Sequence, residues 1–422
     1  MPKISVSLAT QLSLAAGLAL CLVCGTAAHG QDSSAGQDDT NKQLLERVRE
    51  LEAKVKQLEE HQATASATPP PAPAPAPAPA AEPVAVVEQP QVNAVADRLK
   101  LLLFGDAGYQ TGHFFGPTST FEFGEFDIFA TARLTDKFSA IGEILYTAGS
   151  DNAVKLDIER LLLKYRQNDY FTASVGRIHT AIGYYNTTFN RGDFFQTAAG
   201  RPTMFEFDDQ GGFLPLQDLG IVINGQIPSG KLGLNYVFEV TNGRAFGAFA
   251  EPAQNGSDLN NSKAVNFGLS AKPEMLPGFT VGFSYRHDYL SDALNLHVSE
   301  SIPVVYAVFT NPTYEWLNEA MYVTHKLPGG ASFHTPGFYS QFSRRFGHFR
   351  PYFRYDYVNA SVDDPIYGNP DEIDSVGRIN GPAVGLRWDF SRYTALKFQY
   401  QHEGIRGEKS TNGGTAQFDF TF

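Results

Sequence analysis

The sequence predicts an all-β fold, a 16-stranded antiparallel transmembrane β-barrel preceded by a short coiled-coil helix. The last eight residues, 415–422, alternate strictly between apolar and polar side chains, which is typical of a strand with two different faces. About sixteen alternating segments follow one another from residue 98 to the end of the chain, an even number as in bacterial barrels. The connections between these segments also alternate between short and long, which is a further property of such barrels.

Residues 1–30 are predicted to be a secretory signal peptide. A lysine near the start precedes an apolar region at 12–23, and small residues at 28–30 are typical of a cleavage site. A lipoprotein signal is the alternative, but the Leu and Val that precede Cys21 and Cys24 fit that pattern poorly. Since these are the only two cysteines, the mature chain is expected to have no disulfide, thiol nucleophile or thiolate metal site.

Residues 40–62 contain a heptad pattern that predicts a periplasmic coiled coil. Its apolar positions recur at alternating steps of four and three, at Leu44, Val48, Leu51, Val55 and Leu58. Valine at a and leucine at d favour a parallel dimer, and Arg47–Glu52 and Lys54–Glu59 can pair across that interface. A lone amphipathic helix is the alternative, although a helix this short is marginal in water.

Residues 63–97 are rich in alanine and proline and cannot form a core. They are predicted to be an extended polyproline II spacer that holds the coiled coil away from the barrel at 98–422. After residue 30, no stretch approaches the roughly 20 apolar residues of a membrane-spanning helix. A position in the membrane would therefore require a closed barrel, which satisfies every backbone polar group internally.

The strands are predicted from alternation of apolar and polar residues. They lie near 100–112, 119–133, 137–148, 154–166, 170–180, 218–227, 231–241, 263–272, 278–289, 303–311, 314–326, 336–346, 349–359, 379–390, 394–404 and 414–422. The apolar set is expected to face lipid and the polar set a wet lumen, because so many charges could not be buried dry. The strands at 119–133 and 154–166 change phase partway, which indicates β-bulges or shifted boundaries.

The predicted connections divide into two classes. The short ones are 134–137, 166–169, 227–230, 273–278, 311–313, 347–348 and 391–393. The others, apart from two early ones, are expected to be longer and are rich in Gly, Asn, Asp and Ser. A soluble β-sandwich is not expected to separate loop lengths in this way. Both termini fall on the short-turn side, which places the coiled coil in the periplasm.

The chain ends on Phe422, with Phe418 and Phe420 at the alternate positions before it. This segment resembles the C-terminal strand of bacterial outer-membrane β-barrels. The resemblance implies an outer-membrane location in a Gram-negative bacterium. It also implies that these three residues close the barrel and form the signal that the barrel assembly machinery reads.

The longest predicted connection, 181–217, is the third external loop. In general porins, which the chain resembles, this loop folds into the barrel and narrows it. Acidic residues on the loop are then expected at the constriction, namely Asp193, Glu206, Asp208 and Asp209. Basic wall residues are expected to face them, namely Arg286, Arg350, Arg354, Arg387 and Lys397. Acid opposite base would set a transverse field across a narrow aqueous gap, and the alternative is that these charges pair with one another.

The stretch 173–183 resembles the strand before the constriction loop in the phosphate-selective porin (O/P-type) family. The resemblance implies that Arg177 lines the pore. Arg177 nevertheless alternates in step with Ala173 and Val175, which are expected to face outward, so the side of the sheet on which its side chain lies is open. The segments 218–225, 234–243 and 351–356 resemble further strands of that family. The family resemblance implies a row of basic residues along the pore that binds anions. This sequence departs from the family in two ways, because the proline of the turn is missing and the loop has no cluster of lysines.

An enzymatic function is not expected. An outer-membrane lipase would need a serine beside an outward histidine, and His402 has no such neighbour in the predicted strands. Five other histidines of the barrel region are scattered without metal-ligand spacing, namely His287, His297, His325, His334 and His348. We therefore expect no catalytic residue, no metal and no cofactor.

The favoured hypothesis is an outer-membrane porin, a water-filled channel for passive diffusion of small polar solutes that include anions. Its expected partners are outer-membrane lipid, the assembly machinery, small polar solutes and further copies of the chain, but no nucleic acid. The heptads favour self-association, and only the resemblance to porins favours a trimer. The wall arginines predict a mild anion preference, against which stands the formal net charge of −12. The alternative is an envelope tether with a plugged barrel as its anchor.

Overall fold

The computed structural model describes residues 98–112, 118–148, 154–189, 193–206, 212–244, 260–291, 297–367, 378–406 and 409–422. The chain divides into two compact units, residues 1–87 and residues 88–422. The predicted signal peptide, coiled coil and linker lie outside the described residues. The same is true of Asp208 and Asp209.

Sixteen strands form one closed antiparallel barrel in which every strand pairs with its neighbours in sequence and β1 pairs with β16. The strands are β1 Leu99–Gly112, β2 Thr120–Arg133, β3 Phe138–Ala148, β4 Val154–Asn168, β5 Phe171–His179, β6 Gln217–Gln226, β7 Leu234–Thr241, β8 Ala264–Ala271, β9 Phe279–Ser291, β10 His297–Thr310, β11 Tyr314–Lys326, β12 Ser332–Arg344, β13 Phe349–Asn359, β14 Arg378–Asp389, β15 Thr394–Ile405 and β16 Thr411–Thr421. This architecture confirms the predicted fold class. In β16, Phe418 and Phe420 lie on the outer face.

Two β-bulges lie where the alternation changes phase. The pairing of β2 with β1 shifts opposite Asp106, at Gly124 and Glu125. The pairing of β4 with β3 shifts so that Glu159 is the extra residue. Position 124 requires glycine, because a Cβ there would lie 1.9 Å from a carboxylate oxygen of Asp106. The other oxygen of that carboxylate accepts the backbone N–H of Glu125 at 2.7 Å. The expected bulges in these strands are confirmed.

The connections at the two rims of the barrel differ less in length than predicted. Three are long: loop 3 (residues 180–216), loop 4 (242–263) and loop 7 (360–377). The other connections at the same rim are brief, because β10, β12 and β16 begin earlier than expected, at His297, Ser332 and Thr411. Close to this rim the outward positions, such as His297 and Ser332, are polar and some inward ones, such as Val298, are apolar, so the alternation expected of a lipid-facing strand no longer marks where the strand begins.

Inside the barrel, an apolar core fills the space beside β9–β13. Inward side chains such as Val304 and Leu317 pack there against Phe205 and Leu214 of loop 3 and Tyr367 of loop 7. This sector differs from the expectation of a wholly wet lumen. The described residues of loop 3 include a short helix, α1 (Tyr185–Thr188), and 3-10 turns at Asp193–Phe195 and Thr203–Phe205. Among the described residues, no helix is both long and apolar enough to cross a membrane.

Candidate functional site: loop 3 and the inner wall

Loop 3 begins by donating backbone N–H groups to carboxylates of the inner wall. Ala181 donates to Glu239 on β7 at 2.9 Å. Tyr184 and Tyr185 donate to the two oxygens of Glu319 on β11 at 2.6 and 2.8 Å. One anionic side chain therefore fixes the start of α1, because hydrogen bonds to a charged acceptor are stronger than those between neutral groups.

The middle of loop 3 is bound to β13. Arg354 donates to the backbone carbonyl of Gly200 at 2.9 Å and to the carboxylate of Asp356 at 2.7 Å. Asp356 in turn accepts the backbone N–H of Thr203 at 3.2 Å. Arg350, on the same strand, donates to the hydroxyl of Thr197 at 3.2 Å. Two of the predicted constriction arginines therefore hold the loop.

The segment of loop 3 around Asp193 is bound to β14 and β15. Arg387 donates to the backbone carbonyls of Phe194 and Gln196 at 2.6 and 2.7 Å. Lys397 donates to the backbone carbonyl of Asp193 at 2.6 Å and lies 3.2 Å from Asp419. These cations neutralise partial charges of backbone oxygens, which would be costly to bury without a donor.

Arg286 does not touch loop 3 in this way. It is fully buried and pairs with Asp218 on β6 at 2.5 Å and with Asp288 on its own strand at 3.7 Å. It also donates to the hydroxyl of Thr241 at 3.3 Å. Arg286 therefore joins β6, β7 and β9 beneath the beginning of loop 4.

Arg177 lies on β5, opposite the outward Leu161, which is 62% exposed. Its side chain is nevertheless buried and donates to Gln217, which donates to Glu159. Gly176, just before it, has a φ of +133°. We attribute the inward course of the side chain to this left-handed backbone, which a residue with a Cβ rarely adopts.

The two described acidic residues of the predicted constriction differ in their surroundings. Asp193 accepts hydrogen bonds from Gln417 at 2.6 Å and Gln196 at 2.8 Å. Burial raises the pKa of Glu206 to about 8, and Arg201 and Arg354 offset only part of that rise. Glu206 is therefore mostly protonated near neutral pH, whereas polar groups hold Asp193 against β16.

These contacts divide the inner surface into two regions. On the covered wall, the inner face of β7–β16, loop 3 and the apolar core bury most charged side chains completely. On the open wall, the inner face of β2–β4, the side chains of Glu122, Glu125 and Arg160 keep part of their surface exposed to solvent. We infer that the solvent-accessible space inside the barrel lies between loop 3 and the open wall.

The open wall is acidic. Beneath its exposed side chains, Asp127 and Glu143 are 2% and 1% exposed. Glu143 forms an ion pair with Arg160, and the ring of His179 lies 3.8 Å from the same carboxylate. Within the described part of the chain, Oδ1 of Asp127 and Oε1 of Glu143 have no hydrogen-bond partner.

This acidic group was not predicted from the sequence. Its members on or beside the open wall are Asp106, Glu122, Glu125, Asp127, Glu143 and Glu159. Most of them lie on the two strands whose alternation is interrupted by bulges, so parity alone does not show which way they point. The interruptions are themselves the one signal that could have found them, because bulges often redirect side chains near functional sites.

A second polar network connects the three long loops near their rim. His325 on β11 lies 2.7 Å from Asp364 of loop 7 and 2.9 Å from Glu300 of β10. Arg244 of loop 4 pairs with Glu300 and donates to the hydroxyl of Tyr367 at 3.1 Å. That hydroxyl donates to the carbonyl of Phe213 in loop 3 at 2.7 Å. The network therefore holds loops 3, 4 and 7 to the wall.

The outer face of the barrel also has a concavity, about 920 Å³ in volume, across β7–β12. Its lining is apolar and includes Leu269, Phe283, Val305 and Phe338. It opens away from the lumen and is not connected with the open wall. No group of three or more His, Cys, Asp or Glu side chains in the described ranges is arranged to hold a metal ion.

No family model and no curated protein matches this chain. Solved structures with the same fold include the anion-selective porin from Comamonas acidovorans, with a TM-score of 0.55, 11% identity and coverage of 77% of this chain and 99% of that one. The outer membrane channel DcaP of Acinetobacter baumannii has a TM-score of 0.52 at 10% identity, over 77% of this chain and 97% of that one. OprB of Pseudomonas putida has a TM-score of 0.51 at 10% identity, over 78% of this chain and 95% of that one. The chain thus shares the barrel fold of these porins.

Proposed function

We propose that this protein is an outer-membrane channel of a Gram-negative bacterium that admits small polar solutes by passive diffusion. The observation that carries the proposal is the open wall, where inward charged side chains such as Glu122, Glu125 and Arg160 remain in contact with solvent beside an inserted loop. The outer face supports it as well, since Leu161, Phe283 and their neighbours expose apolar side chains suited to lipid.

In this proposal, loop 3 narrows the channel and the predicted basic residues act by holding it. The loop is held in position by Arg350, Arg354, Arg387 and Lys397. Arg286 stabilises the wall beside it, and Arg177 links β5 to this wall through its hydrogen bond to Gln217. Asp193 and Glu206 belong to the loop surface nearest the constriction. Asp208 and Asp209 keep their predicted place on the same loop.

The remaining regions have proposed roles that follow from sequence. Residues 1–30 direct export, residues 40–62 associate in the periplasm and residues 63–97 separate them from the barrel at 98–422. Phe418, Phe420 and Phe422 form the signal for the assembly machinery. Self-association as a trimer is proposed from the resemblance to porins, and a dimer is the alternative that the heptads favour.

The test is reconstitution of the purified full-length protein in planar lipid bilayers. We expect stepwise increases of conductance, often in groups of three if the channel is a trimer. A bilayer that stays silent after insertion of folded protein would refute the channel. Insertion can be verified independently by the heat-dependent shift in electrophoretic mobility that folded barrels show.

An envelope tether remains the second candidate, because the apolar core between loop 3, loop 7 and β9–β13 fills part of the barrel. Deletion of residues 31–97 separates the two functions. If the protein is a channel, the truncated protein keeps its conductance. If it is a tether, the deletion weakens the cell envelope and leaves the permeability to small solutes unchanged.

The anion preference predicted from the wall arginines, and with it a function like that of O/P-type porins, stays a prediction. The positions of these cations favour selectivity for cations instead.

A further inference from the structure

The cations of the covered wall have partners that cancel their charge. Arg286 pairs with Asp218, Arg354 with Asp356 and Lys397 with Asp419. Arg387 likewise lies 2.8 Å from Asp389. Each of these four also lies under other residues. Arg350 is more exposed, with 15% of its side chain accessible, and Glu315 lies 3.8 Å from it. The ions that move through the barrel therefore meet no large net positive field from this side.

The open wall and its edges carry more acids than bases. Its carboxylates are Asp106, Glu122, Glu125, Asp127, Glu143, Asp157 and Glu159. The bases on the same face of β4 are Lys155, Lys164 and Arg160, and Arg160 pairs with Glu143. Arg177 and His179 approach Glu159 from β5. The sum of these formal charges is negative.

Loop 3 changes this balance little. The electrostatic neighbours of Glu125 include Asp193 of the loop, Asp106 and Glu159 of the wall, and one cation, Arg201 of the loop. Arg201 is partly engaged elsewhere, because its Nε donates to the carbonyl of Phe205 at 2.7 Å. A solute that passes between the loop and the open wall therefore meets mainly carboxylates.

A separate observation indicates a ligand for this surface. Oδ1 of Asp127 and Oε1 of Glu143 are buried and, among the described residues, have no hydrogen-bond donor. Two such oxygens on neighbouring strands have lost water, which costs free energy unless a donor or a cation is supplied. A passing cation with N–H groups supplies both.

We propose that the constriction favours small cations over anions, and that Glu125, Asp127 and Glu143 of the open wall determine this selectivity. The proposal rests on the channel function proposed above. The solute class is small organic cations with N–H donors, together with hydrated monovalent metal ions. Binding is transient, since the described groups do not form a cage of ligands that could hold a metal ion.

The experiment measures reversal potentials of the full-length protein in planar bilayers across a potassium chloride gradient. We expect the wild-type channel to conduct potassium in preference to chloride. Asp127→Asn and Glu125→Gln should each lower the cation-to-anion permeability ratio by about fivefold, the factor expected for one charge about 4 Å from the ion in water.

The matched control is Glu274→Gln, which removes the same charge from an exposed turn at the opposite rim and should leave the ratio unchanged. A wild-type channel that conducts but prefers chloride would overturn the cation proposal and leave the channel function intact. A folded protein without conductance would overturn the channel function itself. If a variant fails to fold, the reversal potential of the wild type alone still decides the sign.

A second measurement needs no variant. Raising the pH from about 5 to about 8 ionises more of the carboxylates, so the cation preference should increase. The titratable groups that face Asp127 and Glu143 are Asp106 of β1, Glu122 and Glu125 of β2, Glu159 of β4 and His179 of β5; the fixed cations are Arg160, Arg177 and Arg201. A preference that falls with rising pH would contradict the proposal.

Discussion

The covered wall and the open wall belong to one sheet and carry similar polar side chains, but they differ in what satisfies them. On the covered wall, Arg354 and Glu319 bind the backbone of loop 3 and are buried with it. On the open wall, Asp127 and Glu143 keep carboxylate oxygens without a donor in the described chain. The first wall stabilises the structure, and we infer that the second is the one that acts on solutes.

The largest loss of stability should follow from removal of a cation of the covered wall. Arg354→Met would leave the buried carboxylate of Asp356 without its cation and would remove the hydrogen bond to the carbonyl of Gly200. Breaking one side of a buried pair costs about 3–5 kcal/mol. We expect loop 3 to leave the wall, which limited proteolysis of the folded barrel would detect as new cleavage between residues 180 and 216.

The control for this change is Arg345→Met. Arg345 pairs with Asp389 at 3.0 Å, but its side chain is 44% exposed. An exposed pair of this kind contributes at most about 1 kcal/mol. Equal protease sensitivity of the two variants would show that loop 3 does not depend on the buried cation.

A smaller effect is expected in the network that holds loop 7. In Asp364→Asn, His325 would lose one of its two carboxylate partners, at a cost of about 1.5–3 kcal/mol for a hydrogen bond to a charged group. Hydrogen exchange of the amide of Ile366, which donates to Asp364 at 2.9 Å, should become faster. The exposed neighbour offers a matched variant, Asp363→Asn, that should leave this exchange rate unchanged.

Glu206 makes the docking of loop 3 dependent on pH. Burial raises its pKa to about 8, above the ordinary value of 4.5, so the folded protein holds a proton that the unfolded chain releases at lower pH. The resulting stabilisation is complete below the unfolded value of 4.5 and is lost as the pH rises from that value through about 8. We expect the melting temperature to fall between about pH 5 and 8 and to level off at higher pH. Glu206→Gln should remove this part of the decrease, and an identical decrease in the variant would argue against the assignment.

The smallest effect on stability should come from the open wall. Asp127→Asn removes a buried charge whose Oδ1 has no donor in the described chain and places an amide donor near Glu143. Such a change is expected to be neutral or slightly stabilising. Thermal unfolding in detergent would measure it. A loss of stability as large as that of Arg354→Met would remove the distinction between the two walls.

Much of the fold could be predicted from the sequence because alternation along a strand is a local property. The sixteen strands, their closure from β1 to β16 and the bulges near Gly124 and Glu159 all follow from it. The early starts of β10 and β12 were missed, because near this rim the outward side chains are polar and some inward ones are apolar, the reverse of the expected pattern. The identity of basic residues inside the barrel was also visible, but their partners were not.

By itself, the sequence determined a closed sheet with an apolar outer face, since each residue's side is set by its parity and by the need to pair every backbone group. Only the tertiary structure decided which inward charges are covered. Loop 3 forms hydrogen bonds with residues up to 224 positions away, such as Gln417, and no local pattern encodes such a contact. The division between covered and open walls depends on where that one loop lies, because a charge buried against a partner and a charge left facing water have different electrostatic effects.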